Sequence, residues 1–311
     1  MKQISTFFLL LVLITGCQRE NLQTISKEVL SKELTEVQAD SGLVILIKDN
    51  EIAAKVNLIS KNKKYTDGGT DVFNQPRYIG GLIYPFPMMI ALKENLLNLS
   101  DTVDVGNGSY IYKGARMVDH NHDKGGYGVI TAKQVFGYNS NIGMAKLMLK
   151  GYEDNQMEFA SSMIGLGFPI DTVNWNSIAL PWLSIGYETK VSPIKLIHLY
   201  KDIAHNKING YEKVIPDIQD LMRFCVESGT GKYIDSDDTE IAGKTSTTIT
   251  SEGKEVSFCG YFTVDGSLYT CLVIISNPKK GYPSGGVMAG NVIKGIVNHL
   301  KSEENENEKE N

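Results

Sequence analysis

The chain has no basic excess: among 311 residues, 31 Lys and Arg stand against 36 Asp and Glu, a formal charge of −5. Without a positive field to attract a phosphate backbone, nucleic-acid binding is disfavoured. It also lacks an apolar run near the ~20 residues that a membrane-spanning helix needs, because the stretch Phe7 to Ile14 is far shorter. Cysteine is scarce: Cys17, Cys225, Cys259 and Cys271 form no C-x-x-C pair. Neither a zinc site nor a disulfide framework is indicated. No internal repeat and no linker divides the sequence. What is present is apolar material, 42% of the residues, enough for one large domain or two small ones to bury a core.

The N-terminus carries a targeting pattern. Lys2 precedes the apolar run, and Thr15, Gly16 and Cys17 follow it, which is the outline of a secretory signal. Leu13-Ile14-Thr15-Gly16-Cys17 resembles the bacterial lipobox, in which the cysteine is diacylated and becomes the first residue of the mature protein. The expectation is a signal peptide over 1–16 and a lipidated Cys17 that attaches the protein to a membrane. That places it in the cell envelope, facing the periplasm or the exterior.

Residues 17–40 read as a tether followed by a short amphipathic helix, with apolar Ile25, Val29, Leu30 and Leu34 at helical spacing. Residues 301–311 contain no apolar side chain and read as an acidic disordered tail. Between them, 41–300 reads as one domain. Gly42 to Ile47 and Ile52 to Leu58 flank Asp49-Asn50 as a hairpin, and Val256 to Val264 and Leu268 to Ile275 flank Asp265-Gly266 as another. Ile241 to Thr247 supplies a further strand beside the second hairpin, and Val287 to Leu300 a closing helix. Cys259 and Cys271 then fall in adjacent strands; two buried thiols are the reading, one disulfide the alternative.

Helical patterns occupy the middle, at about 82–97, 131–150, 154–165, 191–206 and 217–228, the fourth opened by Ser192 and Pro193. Strands at both ends of a helical middle define an α+β fold. Its antiparallel sheet is built from the N-terminal hairpin and the C-terminal strands, flanked by helices, with a helical subdomain.

Several segments carry a family resemblance. Tyr78 to Leu92 (YIGGLIYPFPMMIAL) is similar to the nucleophile helix of penicillin-binding protein transpeptidase domains, matching at Gly80, Pro85, Phe86, Ala91 and Leu92. Asp119 to His122, Tyr127-Gly128 and Tyr138 to Lys146 resemble the region around that family's Ser-x-Asn motif. Leu180-Pro181, Leu183 to Glu188, Val191 to Pro193, Gly229-Thr230-Gly231, Ala242 to Thr247 and Asn277 to Lys279 follow in the family's order. The resemblance covers about residues 41 to 300 and implies a transpeptidase/β-lactamase-like fold.

The family's chemistry, as the resemblance implies it, uses a serine nucleophile, a lysine one turn later, a Ser/Asn pair and a Lys-Thr-Gly strand around an oxyanion site. Aligned on Pro85 and Phe86, the Ser-x-x-Lys quartet becomes Gly81-Leu82-Ile83-Tyr84. Glycine cannot attack a carbonyl, and a phenol with an ordinary pKa near ~10 is a poor base at neutral pH. Loss of a serine nucleophile alone removes about a million-fold in rate. The second motif also departs, with Asn139 in the serine's place, Ser140 at the variable position and Asn141 kept. In the third, Lys244 and Thr245 remain and Ser246 replaces glycine.

Other Ser-x-x-Lys matches, Ser60 with Lys63, Ser192 with Lys195 and Ser251 with Lys254, lie in polar loops or at a helix cap. His120 and His122 lack a third metal ligand at a recognisable spacing, so hydrogen-bonded loop histidines are the plainer reading and no metal or cofactor is expected. Tyr78, Tyr84, Phe86 and Tyr138 line a cleft or fill core. The reading is a lipid-anchored pseudoenzyme acting in or regulating peptidoglycan synthesis alongside cell-wall synthesis proteins. No confident catalytic residue remains at the degenerate positions Gly81, Tyr84 and Asn139. A remnant ligand site at Ser140, Asn141, Lys244, Thr245 and Ser246 would face a stem peptide or a β-lactam. The alternatives are a low-rate D,D-transpeptidase or carboxypeptidase using Ser140, and a reversible β-lactam or muropeptide sensor.

Overall fold

A computed structural model describes residues 21–310 except 177 and 252, with side chains through Ser302. The expected signal segment and Cys17 lie outside the described residues. Helix α1 (21–37) is followed by strands β1 (Ser41–Lys48), β2 (Glu51–Lys61) and β3 (Lys64–Asp67). Then come β4 (Arg77–Tyr78), a 3-10 turn at Gly80–Ile83 and helix α2 (Pro85–Lys93). Short strands β5 (Thr102–Asp104), β6 (Ser109–Tyr112), β7 (Ala115–Val118) and β8 (Val129–Thr131) lead into α3 (Ala132–Gly137) and α4 (Asn141–Tyr152). They are followed by α5 (Gln156–Gly165), α6 (Ala179–Ser184), β9 (Lys190–Val191), α7 (Pro193–Ala204) and α8 (Ile215–Glu227). The chain returns through β10 (Ile241–Thr250), β11 (Gly253–Val264) and β12 (Ser267–Ser276), and a π-helical turn at Gly285–Ala289 opens α9 (Gly290–Glu310).

The main sheet has the order β10-β11-β12-β1-β2-β3, antiparallel throughout. Pairing of β1 with β12, Val44 opposite Val273, joins the two ends of the chain as the terminal hairpins predict. Residues on a strand alternate between faces, so Leu43, Ile45 and Ile47 pack into the helical side while Val44 and Leu46 pack under α1 and α9. A strand covered on both faces needs an unbroken apolar run, which is what Leu43 to Ile47 provides. The same alternation separates the cysteines. Cys259 pairs with Leu272 and Cys271 with Gly260, so they project from opposite faces, and Cys225, Cys259 and Cys271 are buried free thiols.

Helix α2 runs through the larger core and is buried from Pro85 to Ala91, which explains an apolar sequence with no polar face. Three expectations are corrected. The helix at 131–150 is two helices, because Asn139 takes a left-handed φ of 56° between them. Helix α1 is not set apart from the domain: Leu30 and Leu34 are fully buried in the second core. The acidic segment at 301–311 continues α9 through Glu310, since extending an existing helix avoids the cost of nucleation.

Candidate functional site

The three segments that resemble the family's motifs meet where the 3-10 turn before α2, the α3–α4 junction and β10 come together. Gly81 ends up against Ser246, whose Oγ accepts the Gly81 amide N–H at 3.0 Å. Tyr84, the residue that precedes α2, has no exposed surface, and its hydroxyl donates to Asn141 Oδ1 at 2.9 Å. The Asn141 amide is fixed in turn by donating to the Val118 carbonyl at 3.1 Å. Burial, and secondarily the Asp119 carboxylate, holds the Tyr84 phenol well above its ordinary range, so it stays a neutral donor.

Lys244 lies on β10 with no exposed surface. Its ammonium donates to Asn139 Oδ1 at 2.5 Å and to the Thr245 carbonyl at 3.1 Å, and sits 4.7 Å from the centre of the Tyr84 ring and 5.6 Å from that of Phe136. Desolvation depresses its pKa from 10.5 to about 8. The aromatic faces and the amide oxygen offset part of the loss of water. Thr245 bonds Thr230 through their hydroxyls at 2.5 Å.

Asn139 fills the position toward which a side chain at residue 81 would project. A Cβ built on Gly81 would lie 2.2 Å from Asn139 Oδ1, well inside contact distance. The left-handed backbone at Asn139 aims its amide inward at Gly81 and Lys244, where a helical residue would not. An acyl-transfer site needs a nucleophile, a base within reach of it and amide donors aimed at the developing oxyanion. Position 81 offers no hydroxyl, the Lys244 amine is bonded to an amide oxygen, and the Gly81 N–H is already given to Ser246.

Ser140 has a different task. Its Oγ accepts the Gly143 N–H at 2.9 Å as the N-cap of α4, and donates to Asp119 Oδ2 at 2.6 Å. Both side chains are fully buried. The other Asp119 oxygen accepts the Ile142 N–H at 3.0 Å. Burial raises the Asp119 pKa, and these hydrogen bonds oppose the rise. The Ser140 hydroxyl is therefore engaged on both sides, its proton by the Asp119 carboxylate and its oxygen by the first turn of α4.

The remaining candidates fall elsewhere. Ser192 is at the α7 N-cap position without a side-chain cap bond, Ser60 is on β2, and Ser251 lies in the β10–β11 turn. His120 Nε2 shares a hydrogen bond with the Tyr127 hydroxyl at 3.0 Å, and His122 Nδ1 shares one with the Asp119 carbonyl at 3.0 Å. Phe86 packs on Phe168 and Tyr200 in the core, whereas Tyr138 stacks on Tyr127. Two participants went unassigned in the sequence: Asp119, the buried acceptor, and Phe136, the second ring beside Lys244. The Asn139-Ser140 pair carried a legible signal, since asparagine tolerates left-handed backbone and serine caps helices.

The profile of the family described as the penicillin binding protein transpeptidase domain matches residues 48–298. The chain belongs to that family. A peptidoglycan D,D-transpeptidase FtsI from Buchnera aphidicola subsp. Schizaphis graminum is 25% identical over 89% of this chain, which spans 56% of that relative's length. The transpeptidase domain of penicillin-binding protein 3 from Burkholderia pseudomallei, solved without ligand, superposes with a TM-score of 0.76 at 21% identity, covering 91% of this chain and 94% of that one. A structure titled as a peptidoglycan glycosyltransferase from Burkholderia ambifaria gives 0.75 at 20% identity, covering 92% and 96%. These likenesses agree with the fold expected from the sequence.

Proposed function

We propose that this protein is a non-catalytic member of the family, held to the cell-envelope membrane through a lipidated Cys17, which acts in or regulates peptidoglycan synthesis by binding other cell-wall synthesis proteins. The observation that carries the reading is the substitution of the reaction centre by structure. Where the family resemblance puts a nucleophile there is Gly81, and the space beyond it is taken by Asn139, itself bonded to the buried Lys244. Restoring one side chain does not reopen such a site, because Asn139 and Lys244 hold each other in place. The family fold remains over 48–298, so selection has a surface to act on even without chemistry. A role beside peptidoglycan synthesis is consistent with the FtsI relative, and the lipobox-like Leu13 to Cys17 supports envelope attachment.

The deciding experiment is intact mass after incubation of the folded protein with a penicillin. The expected result is an unchanged mass; a stable adduct, mapped to one serine, would overturn the reading. Lipid attachment is tested separately by fatty-acid labelling, which Cys17→Ala is expected to abolish.

A further inference from the structure

The layer on the side of the sheet away from the helical core buries a carboxyl that the Lys244 site does not use. Glu33 lies on the face of α1 turned to α9 and is 7% exposed. Its Oε2 accepts the Asn291 side-chain amide at 3.1 Å, whereas Oε1 is buried and has no hydrogen-bond partner. The charges that reach it are those of Glu36 and Lys32 on its own helix. Basic side chains of the neighbouring segments are committed elsewhere: Lys280 to Glu36, Lys279 to Asp40, and Lys294 of α9 to the Tyr233 and Asp235 carbonyls. His299 lies about two turns beyond Asn291 along α9, and the sheet beneath offers apolar Val44 and Leu46.

A buried carboxylate with one oxygen lacking a donor is costly, and taking up a proton removes the charge. Burial accordingly raises the Glu33 pKa; the Asn291 hydrogen bond opposes the rise, Glu36 adds to it and Lys32 opposes it. The folded chain holds this proton more tightly than the unfolded one, so the α1–α9 contact is firmest at acid pH and weakens as pH rises through the folded value. Asn291 is the second residue of α9, directly after the π-helical turn Gly285–Ala289. Such turns are uncommon and concentrate at functional sites. This one has no clearance: a Cβ on Gly285 would stand 2.6 Å from the Ser246 carbonyl oxygen, and one on Gly286 1.9 Å from that of Thr230. Ser246 in turn accepts the Gly81 N–H, and Thr230 bonds Thr245. Contacts packed this closely pass a displacement on.

We propose that Glu33 is a proton-sensitive joint between the α1–α9 layer and the Lys244 site: its neutral carboxyl closes α1 on α9, and its carboxylate loosens that contact and shifts the π-helical turn against Ser246 and Thr230. Helix α1 begins four residues after Cys17, so with the proposed lipid anchor the joint lies where the tether meets the domain. The joint itself rests neither on that anchor nor on whether the protein is catalytic.

The test follows the Glu33 side-chain carboxyl carbon and the backbone amides of Gly286, Thr230 and Ser246 by NMR while the folded protein is titrated from about pH 4 to 8. Glu33 is expected to titrate above its reference value of 4.5, with the three amides moving at the same midpoint. In Glu33→Gln, which keeps the shape and removes the charge, the amide shifts at that midpoint are expected to vanish. Asn291→Ala, at an exposed position, is expected to leave Glu33 titrating and to shrink the amide shifts severalfold. The wild-type midpoints and Asn291→Ala decide the matter even where Glu33→Gln fails to fold. A Glu33 midpoint at or below 4.5, amides that follow the Asp119 carboxyl instead, or amide shifts unchanged in Asn291→Ala would each overturn the proposal.

Discussion

At position 81 a single missing side chain and a single backbone angle act together. Because Asn139 Oδ1 lies 2.2 Å from where a Cβ would stand, Gly81→Ala has to push aside an amide that is anchored on Lys244. Overpacking of this kind costs about 1–3 kcal/mol. The cause is one partner, so the loss measured by urea unfolding is expected to shrink to a few tenths in an Asn139→Gly background, glycine being at ease with the same left-handed φ. Equal losses in both backgrounds would mean that the strain lies elsewhere. By the same logic, Gly81→Ser with Tyr84→Lys leaves penicillin acylation absent while Asn139 stays in place.

The buried Lys244 gives a signature in pH. Its pKa is about 8 in the folded chain and 10.5 as its reference value, so between those values the unfolded chain holds a proton that the folded one has lost. Stability from this group therefore rises as pH goes from 8 to 10.5, and is absent below 8, by about 3 kcal/mol at most. Buried tyrosines with raised pKa values, Tyr84 and Tyr200 among them, act in the opposite direction above about pH 10. The clean observable is the stability of the wild type minus that of Lys244→Met, which is expected to increase between pH 8 and 10. A flat difference would show that the amine is neutral or hydrated throughout.

Among the elements, the α3–α4 junction decides what the site can be. Apolar periodicity continues from Ala132 to Tyr152, which is why one long helix is predicted, yet Asn139 turns left-handed and Ser140 starts a new capped helix. Ser140→Ala removes an N-cap and leaves a buried carboxylate oxygen of Asp119 without its donor. The expected loss is about 1–2 kcal/mol in urea unfolding. A loss of that size reports the capping role; an undiminished stability would reopen a catalytic assignment for the hydroxyl.

Legibility followed the same boundary between pattern and conformation. Strands β1, β2, β11 and β12 are long, apolar and joined by turn residues, so periodicity located them to within a few residues. Strand pairs of two to four residues, such as β4 with β9, and the six-residue α6 are too short to carry a period and were missed. Within the site, Gly81, Tyr84, Asn141, Lys244 and Ser246 were placed together by motif order. That Asn139 fills the space at Gly81 depends on one φ angle and on a long-range contact, which no local spacing encodes.

At the scale of the molecule the sheet has two cores and needs both. The helical side covers Leu43, Ile45 and Ile47, while α1 and α9 cover Val44, Leu46, Val273 and Ile275. These two helices run antiparallel, since Glu33 Oε2 accepts the Asn291 amide at 3.1 Å and a Cβ at Gly295 would meet Val29. Leu22, Ile25, Leu30 and Leu34 of α1 are all buried. Burying each contributes about 1.5–3 kcal/mol, so together they match the whole net stability of about 5–15 kcal/mol that a domain has. Hence α1, although it precedes the domain boundary that composition places at residue 41, is a structural layer. A chain starting at Asn21 is expected to unfold in one cooperative thermal transition, and one starting at Ser41 to lose that transition and expose the sheet face to a hydrophobic dye. Equal melting curves would instead make α1 a dispensable arm, free to leave the sheet.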